Sequence, residues 1–480
     1  MTIELAISLV AVPAFWAFAE WRLGLLLCLA TAILQDPLRK LTPNQPVLFV
    51  VFVGVVFGGM CLGVLASGIP LNPKIMFRQY PRLRGPFLLL LLLIVLEAFN
   101  SFVHFGNPMM TLTGLLTYLL PLPSVVCAYQ LVCRGGEFHV NQFMKWYIAC
   151  ITLALTTVYL DFSGYHWPVL RSVGPPLIIF DRVTGLIITP RSGIFRTAEV
   201  AAWHAMTAAC FVLLMQFSQR INFGRFLTAL IVAAPLIALG MLTGRRKIVV
   251  EFAVFVSTYF ILWVIFENGA GKLLIIASTA AALIGYAWLA GEMRDAPMQY
   301  DPRASAFSRY LEHSETVFQQ IPSRFVELGM QPIMWSYYSY GLFGAGLGSG
   351  TQGTRQFGAV PEGSGAAEGG LGKITLELGI PGLIVMGWIA SLVVRYFWQI
   401  MRIASRQSRR VARLSFGLFS FLVANAVGFS VATQVYGDLF ILLILSWTVG
   451  FLLAVPVLVE RQVSARQLPA LAELAPVFPG

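Results

Sequence analysis

Long apolar runs, each near the length of a membrane-crossing helix, recur along the whole chain. After a first run over residues 1–20 they occupy 22–35, 46–67, 86–103, 111–132, 144–160, 200–217, 225–242, 247–266, 272–290, 373–398, 412–432 and 438–458. A helix needs roughly 20 apolar residues to cross a bilayer. The pattern therefore predicts an all-α, polytopic integral membrane protein of about 13 transmembrane helices. The runs are continuous and do not alternate, which excludes an outer-membrane barrel. Residues 1–20 carry no basic leader and no cleavage site, so they read as a retained first span, not a signal peptide. The chain divides into residues 1–290, with ten helices and an outer loop at 161–199, a long loop at 291–372, three last helices over 373–458, and a tail at 459–480.

Composition sharpens this picture. Hydrophobic residues make up 58% and charged residues 11%, about half the usual charged share of a soluble domain. Such a balance excludes a disordered chain, a disulfide-stapled secreted module and an ordinary soluble enzyme. Lys and Arg total 33 against 22 Asp and Glu. In a membrane protein that excess points to anionic membrane lipids as partner, not to nucleic acid. Cys28, Cys61, Cys127, Cys133, Cys150 and Cys210 lie in or beside apolar runs without a CxxC spacing, and read as buried thiols.

Basic loops set the orientation. Residues 72–85 carry Lys74, Arg78, Arg82 and Arg84, and residues 399–413 carry Arg402, Arg406, Arg409, Arg410 and Arg413, neither with an acid. Both are expected in the cytoplasm, as is the 459–480 tail. Alternate crossings then place 161–199, 243–246 and 291–372 outside, in the periplasm. Arg245 and Arg246 therefore stand on the side the charge rule disfavours. They read either as snorkelling side chains or as part of an anion site at the outer leaflet.

The two long outer loops hold most of the remaining polar chemistry. Residues 189–204 bring Arg191, Arg196, Glu199 and His204 to the mouth of the next span. Helical spacing puts Arg196 and Glu199 on one face, as an ion pair capping the helix or as part of a cationic surface cluster. Arginine suits a diphosphate because its planar fork donates parallel hydrogen bonds. In the second loop, 304–330 has an amphipathic helical period and is expected to lie on the membrane face. The glycine-rich run 341–353 reads as flexible backbone near a bulky polar substrate, since no strand or Walker lysine accompanies it. Glu362 and Glu368 follow, and Glu377 opens the next span, where it is placed to meet an arginine. The histidines at 104, 139, 166, 204 and 313 show no metal-ligand spacing, so neither a metal nor another cofactor is expected.

Three elements carry a resemblance to a known family. ArgSerGlyIlePhe at 191–195 looks like an R-x-x-G or R-x-G-x-F loop element. ThrGlyArgArg at 243–246 looks like a small-residue-plus-arginine element opening a later span. GlyAlaGlyLeuGly at 344–348, with GluLeuGlyIleProGly at 377–382, looks like a long-loop exit. In this order and on one side, they resemble the O-antigen ligase/Wzy-type polymerase superfamily over roughly residues 161–382. The ligase pattern is H-[NSQ], nine residues, then G-x-x-G. Counting back from Gly379 and Gly382 puts Glu368 and Gly369 at its first two positions. Glutamate for histidine favours a polymerase over a strict ligase.

The resemblance implies a GT-C-like fold in the bacterial inner membrane and metal-independent glycosyl transfer at the periplasmic face. A polyprenyl-diphosphate-linked oligosaccharide is the donor, and a sugar hydroxyl of another lipid-linked unit attacks its anomeric carbon. Glu368 is then the general base, while Arg191, Arg196, Arg245, Arg246, His204 and Glu377 bind the diphosphate and glycan. A flippase and a chain-length regulator are the protein partners implied. An O-antigen or protein-glycan ligase, and a polysaccharide or lipid transporter without chemistry, stand as alternatives.

Overall fold

The structure, a computed structural model, describes residues 3–174, 178–180, 187–219, 223–267, 310, 325–351 and 369–462. The described helices are α1 (Ile3–Ala19), α2 (Gly24–Leu41), α3 (Phe52–Ala66), α4 (Lys74–Gln79), α5 (Arg84–Phe105), α6 (Pro108–Leu119), α7 (Pro121–Gly135), α8 (Glu137–Phe162), α9 (Ala198–Phe217), α10 (Phe223–Met241), α11 (Lys247–Phe266), α12 (Gln331–Tyr340), α13 (Gly370–Gln407), α14 (Arg409–Val431) and α15 (Leu439–Leu453). The described strands are β1 (Ile179–Phe180) and β2 (Ile187–Ile188), an antiparallel pair in the loop before α9.

Among the described residues, ten helical segments are long and apolar enough to cross a membrane, and a bent pair at Leu439–Leu453 and Val455–Gln462 makes an eleventh. The segment Ile7–Ala19 is apolar but shorter. The chain thus has the architecture of a multi-pass membrane protein. The expected span at 272–290 and the expected amphipathic stretch at 304–330 lie outside the described residues, apart from Tyr310 and 325–330.

The surface of α5 shows why the apolar runs lack helical periodicity. Leu90, Ile94, Glu97 and Ser101 are buried, while Leu88, Leu92, Val95, Phe99 and Val103 on the other face are exposed. Apolar side chains on both faces would be an aggregation liability in water, but suit a helix with protein on one side and lipid on the other. At the centre, α9 is buried nearly all round. Its alanines at 201, 202, 205, 208 and 209 are buried. Small residues at such positions let neighbouring helices approach closely. A polar lattice threads this core: Trp203 Nε1 donates to Asn425 Oδ1 at 2.7 Å, and the Tyr436 hydroxyl donates to the Asn425 carbonyl at 2.9 Å.

Several spans differ from the apolar runs. The run at 111–132 is two helices, α6 and α7, that meet at Pro121. The run at 373–398 is the middle of α13, which has 38 residues. At 1.5 Å per residue that length exceeds a hydrocarbon core of about 30 Å. The helix is broken at Gly379 (φ 67°, ψ −174°), so its first turns belong to the end of the bundle, not to its apolar middle.

The two ends of the bundle are chemically distinct. At one, Arg413 forks onto Glu267 (2.6 and 2.7 Å) and reaches the Gln219 carbonyl at 2.7 Å, and Arg410 pairs with Glu137 at 3.1 Å. These bonds bring residues 137, 219, 267 and 410–413 to one end, as the expected alternation requires. The described parts of the 161–197 loop, the 243–246 turn, the start of α13 and the 432–438 connection gather at the other.

This separation can be tested by labelling. Gln407→Cys and Ser163→Cys, each in a background without the six native cysteines, place an exposed thiol at opposite ends. With an impermeant thiol reagent on intact spheroplasts, position 163 is expected to label and position 407 to stay protected. Labelling of both positions, or of 407 alone, contradicts the orientation.

Candidate functional site

The turn at 191–196 is gripped from two sides. From the end of α8, Asp161 Oδ2 accepts from the backbone amides of Ser192 and Gly193 at 3.1 and 3.2 Å, and Oδ1 pairs with Arg191 at 3.1 Å. Thr157 Oγ1 accepts from the Ile194 amide at 2.9 Å. From the end of α2, Lys40 Nζ donates to the carbonyls of Val169 (3.0 Å), Gly193 (2.7 Å) and Phe195 (2.5 Å). Gly193 has φ 54° and sits so close to Thr157 that a side chain has no room. The element RSGIF is thus a tight turn whose amides meet a carboxylate and whose carbonyls meet an ammonium.

Arg196 continues this clamp inward. Its amide donates to Asp36 Oδ2 at 2.9 Å, and its guanidinium pairs with Asp438 at 2.7 Å. Asp438 also caps α15, accepting from the amides of Phe440 and Ile441 at 2.7 and 3.1 Å. The expected Arg196–Glu199 pair is not formed. Thr197 is the N-cap of α9, so Arg196 lies before the helix and helical spacing does not govern it. Glu199 pairs instead with Arg245.

The second arginine element lies beside the first. The Arg191 amide donates to the Thr243 carbonyl at 3.2 Å, joining the 191–196 turn to the Thr243–Arg246 turn between α10 and α11. Gly244 (φ 74°) lets the backbone pass against Ile188. Burial pulls the Arg245 guanidinium below the ordinary arginine value, and the Glu199 carboxylate opposes that. The Nε atoms of Arg191 and Arg245 are both buried with no hydrogen-bond partner among the described residues. A buried donor left unpaired costs about 1–3 kcal/mol. Arg246 is half-buried at the N-cap of α11.

Two expected ligand residues are turned inward. His204 is buried, its Nδ1 is 2.6 Å from the Tyr147 hydroxyl, and its ring stacks on Phe195. It braces the turn from beneath and does not stand at a mouth. Glu377 is fully buried and meets no arginine among the described residues. It accepts from the Tyr118 hydroxyl (2.7 Å), the Thr351 hydroxyl (2.7 Å) and the Gly350 amide (3.1 Å).

Those last two donors belong to the glycine-rich run, whose described part, 341–351, is a packed strap and not free backbone. The Ala345 amide donates to the Leu376 carbonyl at 2.7 Å, the Leu347 amide to the Glu97 carbonyl at 3.2 Å, and Ser101 Oγ to the Leu347 carbonyl at 2.7 Å. Gly346 and Gly348 have φ of 95° and 84° and press on the backbones of Ser101 and Met110. The strap therefore ties α5 and α6 to the start of α13. Glu368 and Glu362 lie outside the described residues. The next residue, Gly369, packs against Leu328 and Ser430.

An open cavity of about 380 Å³ adjoins the first turn, lined among others by Asp161, Tyr165, Trp167, Arg171 and Arg191. Lys40 and Asp36 were not among the candidates. Their spacing of four residues at the end of an apolar run was the available signal, but it reads equally as charge flanking a span. Comparison with protein-family models and with characterised proteins gives no match, so the family resemblance rests on the residues alone.

The clamp predicts a stability effect. Lys40→Met leaves three buried carbonyls without their donor, at about 1–3 kcal/mol each. Thermal unfolding in detergent should show a Tm lower by several degrees, and an unchanged Tm contradicts the clamp. Glu377→Ala should likewise release the strap and reduce the recovery of monodisperse protein on size exclusion. Wild-type recovery contradicts its structural role.

Proposed function

We propose that the protein is a bacterial polysaccharide polymerase of the Wzy type. It transfers a polyprenyl-diphosphate-linked glycan to a sugar hydroxyl of another lipid-linked unit at the periplasmic face of the inner membrane. The observation that carries this reading is the pairing of the two arginine turns, with Arg191 and Arg245 each keeping a buried, unpartnered Nε donor. Each guanidinium is already oriented by one carboxylate, Asp161 or Glu199, which leaves its remaining donors preorganised. A departing diphosphate offers the anionic oxygens that such donors lack. Donors held in place before charge develops stabilise it without reorganisation, typically by about 3–4 kcal/mol each.

In this reading, Arg191, Arg245 and Arg246 take the diphosphate, while Arg196, held by Asp36 and Asp438, positions the turn from behind. His204 and Glu377 support the site and do not touch substrate. Glu368 is assigned the general base on the strength of its place before Gly379 and Gly382. A positioned base is worth about 10²–10⁴-fold for the attacking hydroxyl.

One observation favours a second reading, a transporter. Lys247 Nζ and both carboxylate oxygens of Glu251, one turn apart in α11, are buried without a hydrogen-bond partner among the described residues. Ionisable groups inside a span commonly mark a transport path.

Purified protein incubated with lipid-linked repeat units separates these readings. A ladder of products is expected of the wild type, a single transfer to another acceptor marks a ligase, and unchanged substrate marks a transporter. Arg191→Lys and Arg245→Lys should each slow chain growth by about 10²-fold or more, since lysine keeps the charge and loses the fork. Glu368→Gln should lose most turnover while still binding the donor. Ladders at the wild-type rate from these three variants contradict the assignment.

A further inference from the structure

The cavity beside the first turn has a composition that the diphosphate does not explain. Its volume, about 380 Å³, falls in the range of about 300–1,000 Å³ typical of small-molecule sites. Tyr165 and Trp167 line it and remain 65% and 58% exposed. Arg171, also exposed, forms no ion pair among the described residues. Asp161, by contrast, is fully engaged with Arg191 and the amides of Ser192 and Gly193.

We propose that this cavity is a glycan subsite selective for an acidic sugar. A uronate ring lies against Tyr165 and Trp167 and its carboxylate is held by Arg171. The inference rests on the polymerase reading, and it names the class of repeat unit that the reading leaves open.

Three features of the cavity support it. The first is shape chemistry. One face of a pyranose presents C–H groups and its edge presents hydroxyls, so it is matched by flat aromatic rings that also carry a polar handle, as the indole N–H and phenol O–H do. The second is charge. The lining holds two guanidiniums, Arg171 and Arg191, against one carboxylate, Asp161, an excess of one guanidinium. That balance suits a monoanion such as a uronate carboxylate better than a diphosphate, which carries at least two charges. Arg171 can accept a carboxylate on its fork in the bidentate manner. The third is place. Arg191 lines the cavity and also bonds through its amide to Thr243 of the second arginine turn. A sugar bound here therefore neighbours the proposed diphosphate position, as a glycan being joined must.

Exposed tyrosine and tryptophan also occur as anchors at a membrane surface, where they face lipid. Anchors would be indifferent to oligosaccharide. The test uses full-length protein in lipid nanodiscs and isothermal titration with four probes: trigalacturonate, a hyaluronan tetrasaccharide, neutral cellotriose and inorganic pyrophosphate. At least one acidic probe is expected to bind about tenfold or more tighter than cellotriose. Trp167→Ala should weaken that binding by about tenfold or more, while Trp167→Phe retains most of it. Arg171→Gln should remove the preference for the acidic probe without changing the melting temperature.

Failure of both acidic probes to bind wild-type protein overturns the inference. So does binding unaffected by Trp167→Ala, or pyrophosphate binding that is lost in Arg171→Gln. No step of this measurement requires turnover. Acidic-glycan binding without product ladders would sink the polymerase reading alone, and ladders without such binding would sink this inference alone.

Discussion

The end of the bundle that holds the arginine turns depends on one buried ammonium. Lys40 enters from the end of α2 and satisfies the carbonyls of Val169, Gly193 and Phe195. On the opposite side, Asp161 satisfies the amides of the same turn. Within the turn the Phe195 amide donates to the Ser192 carbonyl at 3.1 Å, and its other buried backbone groups must find partners elsewhere. Opposite charges supplied by two separate helices solve this and fix where Arg191 and Arg196 leave the backbone. Helices α2, α8, α9 and α15 all converge on that turn through Lys40, Asp161, Phe195 on His204, and Asp438.

The same logic distributes charge across the end of the bundle. Arg191, Arg196 and Arg245 each carry a carboxylate partner. Unpaired arginines at a membrane boundary would sample many rotamers. Paired ones are held, and a held fork is what a diphosphate leaving group requires. The cost is a set of donors without acceptors at Arg191 and Arg245. Strain of this kind is commonly stored where a ligand relieves it. Beneath, Tyr436 donates to the Asn425 carbonyl, and burial together with the Glu251 carboxylate pushes its hydroxyl well above the ordinary tyrosine range. It therefore stays a neutral donor and keeps the polar lattice intact.

Much of the architecture was legible in the sequence because lipid imposes a simple rule on length and polarity. The apolar runs marked most of the described spans, and the two acid-free arginine clusters marked residues that gather at one end, the Arg82 amide donating to the Tyr396 hydroxyl near the end of α13. The two arginine elements were legible as motifs, and the structure places them edge to edge. What escaped was direction. His204 and Glu377 follow loop residues in the chain, yet both point into protein, since helix ends here are packed by further loops and not bathed in solvent. The run at 341–353 reads as flexible from its glycines. Those described at 344, 346 and 348 serve close backbone approach with positive φ instead, a use that composition alone does not distinguish. Lys40 and Asp36 sit where charges commonly flank a span, and only the bonds of residues 169, 193, 195 and 196 to the end of α2 reveal their partners.

The central claim is that the paired arginine turns form a diphosphate site. The most direct measurement is an experimental structure of the protein in nanodiscs with polyprenyl diphosphate, the leaving group itself. The account predicts diphosphate density within hydrogen-bonding distance of the Arg191 guanidinium and of Arg245 or Arg246. Diphosphate density at the opposite end, beside Arg410 and Arg413, or none near residue 191 at saturating ligand, would contradict it.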